Sequence, residues 1–173
     1  LPMVPFSKIK EIYPPEDYFM HVGLSYTNLN HLREDRYYEA KNKGYNLPTY
    51  ISSKATVLTK YPIGDNCFIF ENNTIQPFVK IGNNVILWSG NHIGHHGKIE
   101  DHVFFTSHVV LSGHCHVKER AWLGVNSTIR DFTTIGEGCL IAMSSVVTKN
   151  TDDEAFYMGF PAQRQEKLTI EVY

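Results

Sequence analysis

Counted from Ile51 in steps of six, every position up to Val147 is apolar. The series is Ile51, Val57, Ile63, Ile69, Ile75, Ile81, Leu87, Ile93, Ile99, Phe105, Leu111, Val117, Leu123, Ile129, Ile135, Ile141 and Val147, with no insertion anywhere. The fifth residue of each hexad is a second marker. It is mostly small, as at Ala55, Cys67, Val79, Gly97, Val109, Ala121, Ser127, Cys139 and Ser145, and Tyr61, Asn73 and Asn91 depart from the pattern. The second residue is often glycine, at Gly64, Gly82, Gly94, Gly124 and Gly136. A period of six is not the 3.6 of an amphipathic helix, nor the irregular loops and strict alternation of antiparallel sheet. It predicts a parallel β-helix. Each hexad supplies a short strand and a turn, coils stack about 4.8 Å apart, and one large and one small residue per hexad fill a narrow prism.

Residues 1–50 carry no hexad. Tyr18 to Tyr26 reads as a buried strand ending in a loop, and Thr27 to Gly44 as a helix with Thr27 as its cap and Gly44 as its stop. Tyr45 to Tyr50 then leads into the first coil. The predicted organisation is an N-terminal α/β segment over 1–50, the β-helix over 51–150 and a tail over 151–173.

Composition narrows the function classes. A net charge of −2 gives no basic surface for nucleic acid or anionic lipid. No apolar run approaches the roughly 20 residues of a membrane span, and no signal peptide is recognisable at Leu1. Three dispersed cysteines, Cys67, Cys115 and Cys139, suggest neither a disulfide framework nor a CxxC zinc site, so a reducing cytoplasm is the expected compartment. All three fall at the small fifth position and are expected inside the prism.

The histidines behave differently. Seven of the nine lie between His92 and His116. His95 is at position three, His96, His102, His108 and His114 at position four, and His92 and His116 at position six. None is at an inward position, so all seven are expected on turns and outer faces. His96 and His114, 18 residues apart, should stack on adjacent coils if three hexads make a turn. Three readings compete: a solvated polar face, a zinc site, and a general base with its neighbours. Imidazole suits both of the last two, as a common metal ligand and as a base with a pKa near 6.5.

The uninterrupted hexads resemble the hexapeptide-repeat acyltransferases. That resemblance implies a left-handed parallel β-helix with 18 residues per coil, a homotrimer, and acyl-coenzyme A in the groove between neighbouring prisms. Within the family, the stretch GNHIGHHGKIEDHVFFTSHVVLSG, Gly90 to Gly113, resembles the branch that acetylates amino groups of nucleotide-linked sugars, together with its sialic acid O-acetyltransferase relatives. By that likeness His95 stands at the place of the catalytic base. His96 replaces the carboxylate that normally follows it, and Glu100, Asp101 or a neighbouring subunit is left to orient the base. His92 is the second candidate for the base, or a substrate contact. Gly113 matches the glycine whose N–H faces the thioester carbonyl. Phe104, Gly124, Val125, Ala142 and Met143 match positions along the coenzyme. GFPAQ, with Gly159 and Pro161, resembles a Gly-x-Pro-Ala-Lys turn closing over its outer end, with Gln163 in place of the lysine.

In that branch the N-terminal domain opens on a Gly-rich turn that holds nucleotide-sugar phosphates. Residues 1–50 lack it, so it is either lost or precedes Leu1. Ser25, Tyr26 and Asn28 are then the candidate sugar-nucleotide contacts. The function implied is acetyl transfer from acetyl-CoA to the amine of a nucleotide-linked amino sugar, for surface-glycan synthesis, without a metal. Alternatives are acetylation of a sugar hydroxyl, sialic acid included, a zinc-binding β-helix of the carbonic anhydrase type, and a silent scaffold.

Overall fold

In the computed structural model of the protein, which describes residues 2–168, the hexads form sixteen two-residue strands, from β1 (Tyr50–Ile51) to β16 (Val146–Val147). Neighbouring coils pair in parallel at a constant offset of 18: Phe68 with Ile86, Ile86 with Phe104, Phe104 with Trp122, and Trp122 with Leu140. Three faces result. Face I carries Phe68, Ile86, Phe104, Trp122 and Leu140. Face II carries Thr74, His92, Val110 and Thr128. Face III carries Lys80, Lys98, His116 and Thr134. The parallel β-helix of hexapeptide repeats expected over 51–150 is therefore the architecture of this region.

The interior follows the two markers. From Ile69 to Val147 every first-position residue is at most 5% exposed. Cys67, Cys115 and Cys139 lie inside beside them as free thiols, and burial pushes those of Cys67 and Cys139 up to about 12, far from reactivity. Removing each aliphatic side chain from water contributes about 1.5–3 kcal/mol, so the column is the main source of stability. The first coil is thinner, with Ile51 41% exposed, because no coil lies beneath it. The two inward asparagines are satisfied by the frame. Asn73 donates to the carbonyls of Phe70 and Trp88, and the Oδ1 of Asn91 accepts from the N–H of Val109 at 2.8 Å.

From Asn66 to Ser144 the fourth positions share one backbone conformation. Asn66, Asn72, Phe78, Asn84, His96, His102, His108, His114, Arg120, Asn126, Phe132 and Ser144 all have φ between 51° and 65°. This left-handed conformation turns each corner, and Asn and His are among the non-glycine residues that tolerate it best. At second positions the coils pack backbone against backbone. A Cβ on Gly124 would stand 2.4 Å from the nitrogen of Met143, and one on Gly94 would stand 2.6 Å from that of Gly113.

The N-terminal segment differs from expectation. Tyr18–Tyr26 forms no strand: the N–H of Met20 reaches the carbonyl of Asn46, and Val22 is held by the side chain of Asn66, where a sheet partner would be. A short helix, α1 (Ile9–Ile12), precedes it. The main helix, α2 (His31–Asn42), starts later than the sequence suggests. Asn28, Leu29 and Asn30 have positive φ, so the chain turns sharply before the helix, and Asn30 takes the N-cap position in place of Thr27 without a side-chain capping hydrogen bond. Gly44, at φ +93°, ends it as expected.

Helix α2 lies against the corner between faces III and I. Arg33 is fully buried there, donating to the carbonyl of His102 at 2.6 Å and to Asn30 Oδ1 at 2.8 Å. Burial pulls its pKa down to about 9, which leaves it a cation at neutral pH. His102, expected on an outer surface, is on the corner but buried beneath the helix. It completes a side-chain ladder in which Asn66 donates to Asn84 and Asn84 donates to His102 Nδ1 at 2.9 Å. The proton of a neutral His102 is thus on Nε2, which faces the Tyr38 hydroxyl at 3.3 Å and Glu34 at 3.7 Å.

The C-terminal tail closes face I. Strand β17 (Ala155–Gly159) pairs with Leu140–Ile141 and folds back antiparallel into β18 (Ala162–Leu168). The last part of the 151–173 segment, residues 169–173, lies outside the described residues.

Desolvation lowers the pKa of His102, the nearby Arg33 and Arg120 lower it further, and Glu34 and Asp101 oppose them. The folded state thus holds His102 less willingly protonated than the unfolded chain, whose value is about 6.5. Stability from this group is complete above about pH 6.5 and is lost as pH falls through the folded value. His102→Asn continues the asparagine ladder and removes the titration. Its melting temperature, followed by circular dichroism from pH 7 to pH 5, should fall less steeply than that of the unsubstituted protein.

Candidate functional site

The corner between faces II and III is an exposed column of rings. Phe78, His96, His114 and Phe132 occupy the fourth position on four successive coils. Their rings stack at 4.7 Å at each step, and His96 and His114 are within 7° of parallel. The coil spacing sets this distance, since equivalent residues repeat at about 4.8 Å. The stacking of His96 on His114 is the contact expected from their separation of 18.

His95 stands edge-on to this column, with ring planes 88° from His96 and 87° from His114. Its Nδ1 lies 3.1 Å from the Nδ1 of His96, and its backbone N–H donates to Gln76 Oε1 at 3.0 Å. The Cε1 edge of the ring rests on Gly113, where an added Cβ would stand 2.7 Å from Cε1, 2.8 Å from Nε2 and 3.2 Å from Nδ1. Gly113 thus leaves room for the imidazole of His95. The three residues expected at the catalytic centre, His95, His96 and Gly113, form one constellation, exposed apart from half-buried Gly113.

The carboxylates considered as orienting groups are engaged elsewhere. Glu100 accepts from His116 Nε2 at 2.7 Å and from Lys98 at 2.5 Å. Desolvation works against its charge, but these partners hold it below the usual carboxylate range. Asp101 accepts from the backbone and side chain of Asn83. Within the chain, the group at His95 Nδ1 is His96. Desolvation in the column, then the neighbouring His114 and His95, lower the pKa of His96, so it is neutral at neutral pH. A neutral His96 can accept a proton-donating bond from His95 Nδ1, which leaves the Nε2 of His95 with its lone pair free at the Gly113 edge.

The remaining candidates sort by face. His92 is half-buried on face II, three residues before His95. Gly124 with Val125, and Ala142 with Met143, lie at the corner between faces I and II on adjacent coils, and Gly124 packs directly on the Ala142–Met143 backbone. Val125 and Met143 are exposed there. Gly159 and Pro161 form the turn between β17 and β18, and the Gly159 N–H reaches Ser145 Oγ of that same corner at 3.2 Å. Ser25 and Tyr26 share a cavity of about 490 Å³ with Phe104, Val125, Phe68 and Trp88. Phe104 is buried at its base, edge-on to Tyr26 at 5.1 Å. Asn28 does not line it, having its role in the turn before α2. The cavity belongs to face I and its corner with face II, so the chain on its own does not bring Ser25 and Tyr26 to His95.

Sequence reasoning missed Gln76, Phe78 and Phe132. Stepping by 18 from His96 and His114 would have found the phenylalanines, and Gln76 lies one coil and one residue before His95.

Residues 63–95 match the family model for the bacterial transferase hexapeptide (six repeats). No curated protein sequence matches the chain. Among solved structures, the acetyltransferase domain of PglB from Neisseria gonorrhoeae in complex with acetyl coenzyme A aligns at a TM-score of 0.88 and 22% identity, over 95% of this chain and 78% of that one. A mutant perosamine N-acetyltransferase from Caulobacter crescentus, in complex with CoA and GDP-perosamine, gives 0.88 and 21%, over 94% and 76%. WeeI from Acinetobacter baumannii gives 0.75 and 22%, over 80% and 68%. The chain has the hexapeptide-repeat β-helix fold. The alignments to PglB and to the perosamine N-acetyltransferase extend over nearly all of this chain.

The lowered His96 value can be read directly. In long-range proton–nitrogen NMR spectra its midpoint should lie below about 6.5. In His114→Phe, which keeps the ring column but removes one imidazole charge, the midpoint should move up.

Proposed function

We propose that this protein is an acetyl-CoA-dependent acyltransferase that acetylates the amine of a nucleotide-linked amino sugar. It would act in the cytoplasm, in the synthesis of surface glycans. The observation that carries the proposal is the placement of His95: its imidazole rests on Gly113, with Nδ1 turned to His96 and Nε2 open. The two similar proteins described with coenzyme or acetyl-coenzyme and, in one case, GDP-perosamine support the choice of both substrates.

The chemistry assigned to the residues is direct transfer. The sugar amine attacks the thioester carbon, and Nε2 of His95 takes the proton that the nitrogen gives up as the C–N bond forms. The carbonyl oxygen becomes an oxyanion, stabilised by the N–H of Gly113. The C–S bond then breaks, the thiolate leaves as coenzyme A, and the proton held by His95 is available to it. No acyl-enzyme is needed. His96 is a positioning residue that fixes which nitrogen of His95 carries the proton.

The coenzyme is assigned to the corner of Gly124, Val125, Ala142 and Met143, with the Gly159–Pro161 turn over its far end. The sugar nucleotide is assigned to the cavity of Ser25, Tyr26 and Phe104, and His92 is a secondary substrate contact. These features lie on different sides of one prism, which supports a homotrimer. There the cavity and coenzyme corner of one subunit would meet the His95 corner of the next.

Turnover is measured by thiol release from acetyl-CoA with nucleotide-linked amino sugars, against sugars offering only hydroxyls. Amine acceptors should be preferred. His95→Ala should lose roughly 10²–10⁴-fold in kcat, the usual contribution of a general base, with acetyl-CoA affinity unchanged. Near-normal turnover in that variant would overturn the assignment of the base.

A further inference from the structure

We propose that His95, His96 and His114 together form a binding site for a divalent transition-metal ion of the zinc class, and that filling it turns the proposed base off. One nitrogen from each imidazole lies within 4.8 Å of the other two, and all three side chains are exposed. All belong to one chain, so the site needs no partner subunit.

The geometry is close to what the metal demands. Two imidazole nitrogens bound to zinc at 2.0–2.1 Å and a tetrahedral angle stand about 3.3 Å apart. The Nδ1 atoms of His95 and His96 are already 3.1 Å apart. The widest pair has at most about 1.5 Å to close to reach that edge length. Rotation of an exposed ring is enough for this, because Phe78 and Phe132 bound the column from outside and His114 is held by stacking alone on its two sides. Three imidazoles with a solvent-open fourth position form a set suited to zinc, copper or nickel and poorly suited to magnesium or calcium.

The consequence for His95 follows from its two nitrogens. A metal on Nδ1 uses that lone pair, so a neutral imidazole must carry its proton on Nε2. The nitrogen assigned to accept the amine proton is then already protonated. Metal binding and base function exclude one another without any change of fold. This consequence rests on the assignment of His95 as base, whereas the site itself does not.

The test uses tag-free protein stripped with a chelator and titrated calorimetrically with Zn²⁺. One saturable zinc per chain is expected. Affinity should fall by at least about tenfold in His114→Phe, which preserves the ring column, and in His96→Asn, which suits the left-handed corner. His108→Asn, at the equivalent position of another corner, should bind as the unsubstituted protein does. Absence of a saturable site, or His114→Phe binding zinc undiminished, overturns the proposal. In the transfer assay Zn²⁺ should inhibit, a chelator should restore turnover, and His114→Phe should resist inhibition relative to its own metal-free turnover. If calorimetry shows the site but no acetyl transfer is found, the metal site stands and the functional assignment fails. If transfer occurs and zinc does not bind, the metal site alone fails.

Discussion

The structure depends on one constraint: a backbone register of 18 residues that never slips between Tyr50 and Val147. Every inward residue, every corner and every outward row inherits its place from that register. A single inserted residue would move a first-position aliphatic to the outside and a corner residue inward. The corner is as demanding as the interior, because its fourth residue must adopt a left-handed backbone. Asparagine, glycine and histidine therefore recur there for conformational reasons.

This changes how the histidine-rich stretch is understood. His96, His102, His108 and His114 all occupy left-handed corners, on three different edges of the prism. Their number reflects what the corner tolerates, and their surroundings decide their chemistry. His102 is sealed under α2 and serves the fold. His108 is exposed at the corner where the coenzyme is assigned. His96 and His114 become partners of a fifth residue, His95, which is at position three and free of the corner requirement. The sequence-level observation that mattered most was this difference of one position.

The β-helix was legible because its period is arithmetic and its core is one residue wide. Interior cysteines, stacked His96 and His114, and the pairing of Gly124 with Ala142–Met143 all follow from counting. The N-terminal segment was not legible by such means. Tyr18–Tyr26 has the composition of a strand but finds side chains, Asn66 above all, where a sheet edge would be needed. The start of α2 is set by Arg33 and Asn30 reaching the prism, contacts to residues up to 90 positions away. The exposure of His102 failed as an expectation for the same reason: local pattern places a residue on a face, but only tertiary packing decides what covers that face.

His96 in place of a carboxylate has a physical cost and a physical gain. A carboxylate beside an imidazole stabilises the imidazolium by charge, and a neutral imidazole offers only a hydrogen bond. A base of the proposed kind, formed by His95 and His96, would rely on orientation and on the glycine edge more than on field. The same substitution replaces an anionic oxygen with a nitrogen ligand that stacks at the coil spacing on another. A corner that repeats every 4.8 Å thus brings nitrogens of three imidazoles within reach of one another. In the proposed scheme, base and metal ligand are alternatives separated by which nitrogen of His95 holds the proton. His96 Nδ1 is the neighbour of His95 Nδ1 when the site is empty, and a metal ion would take that place when the site is filled.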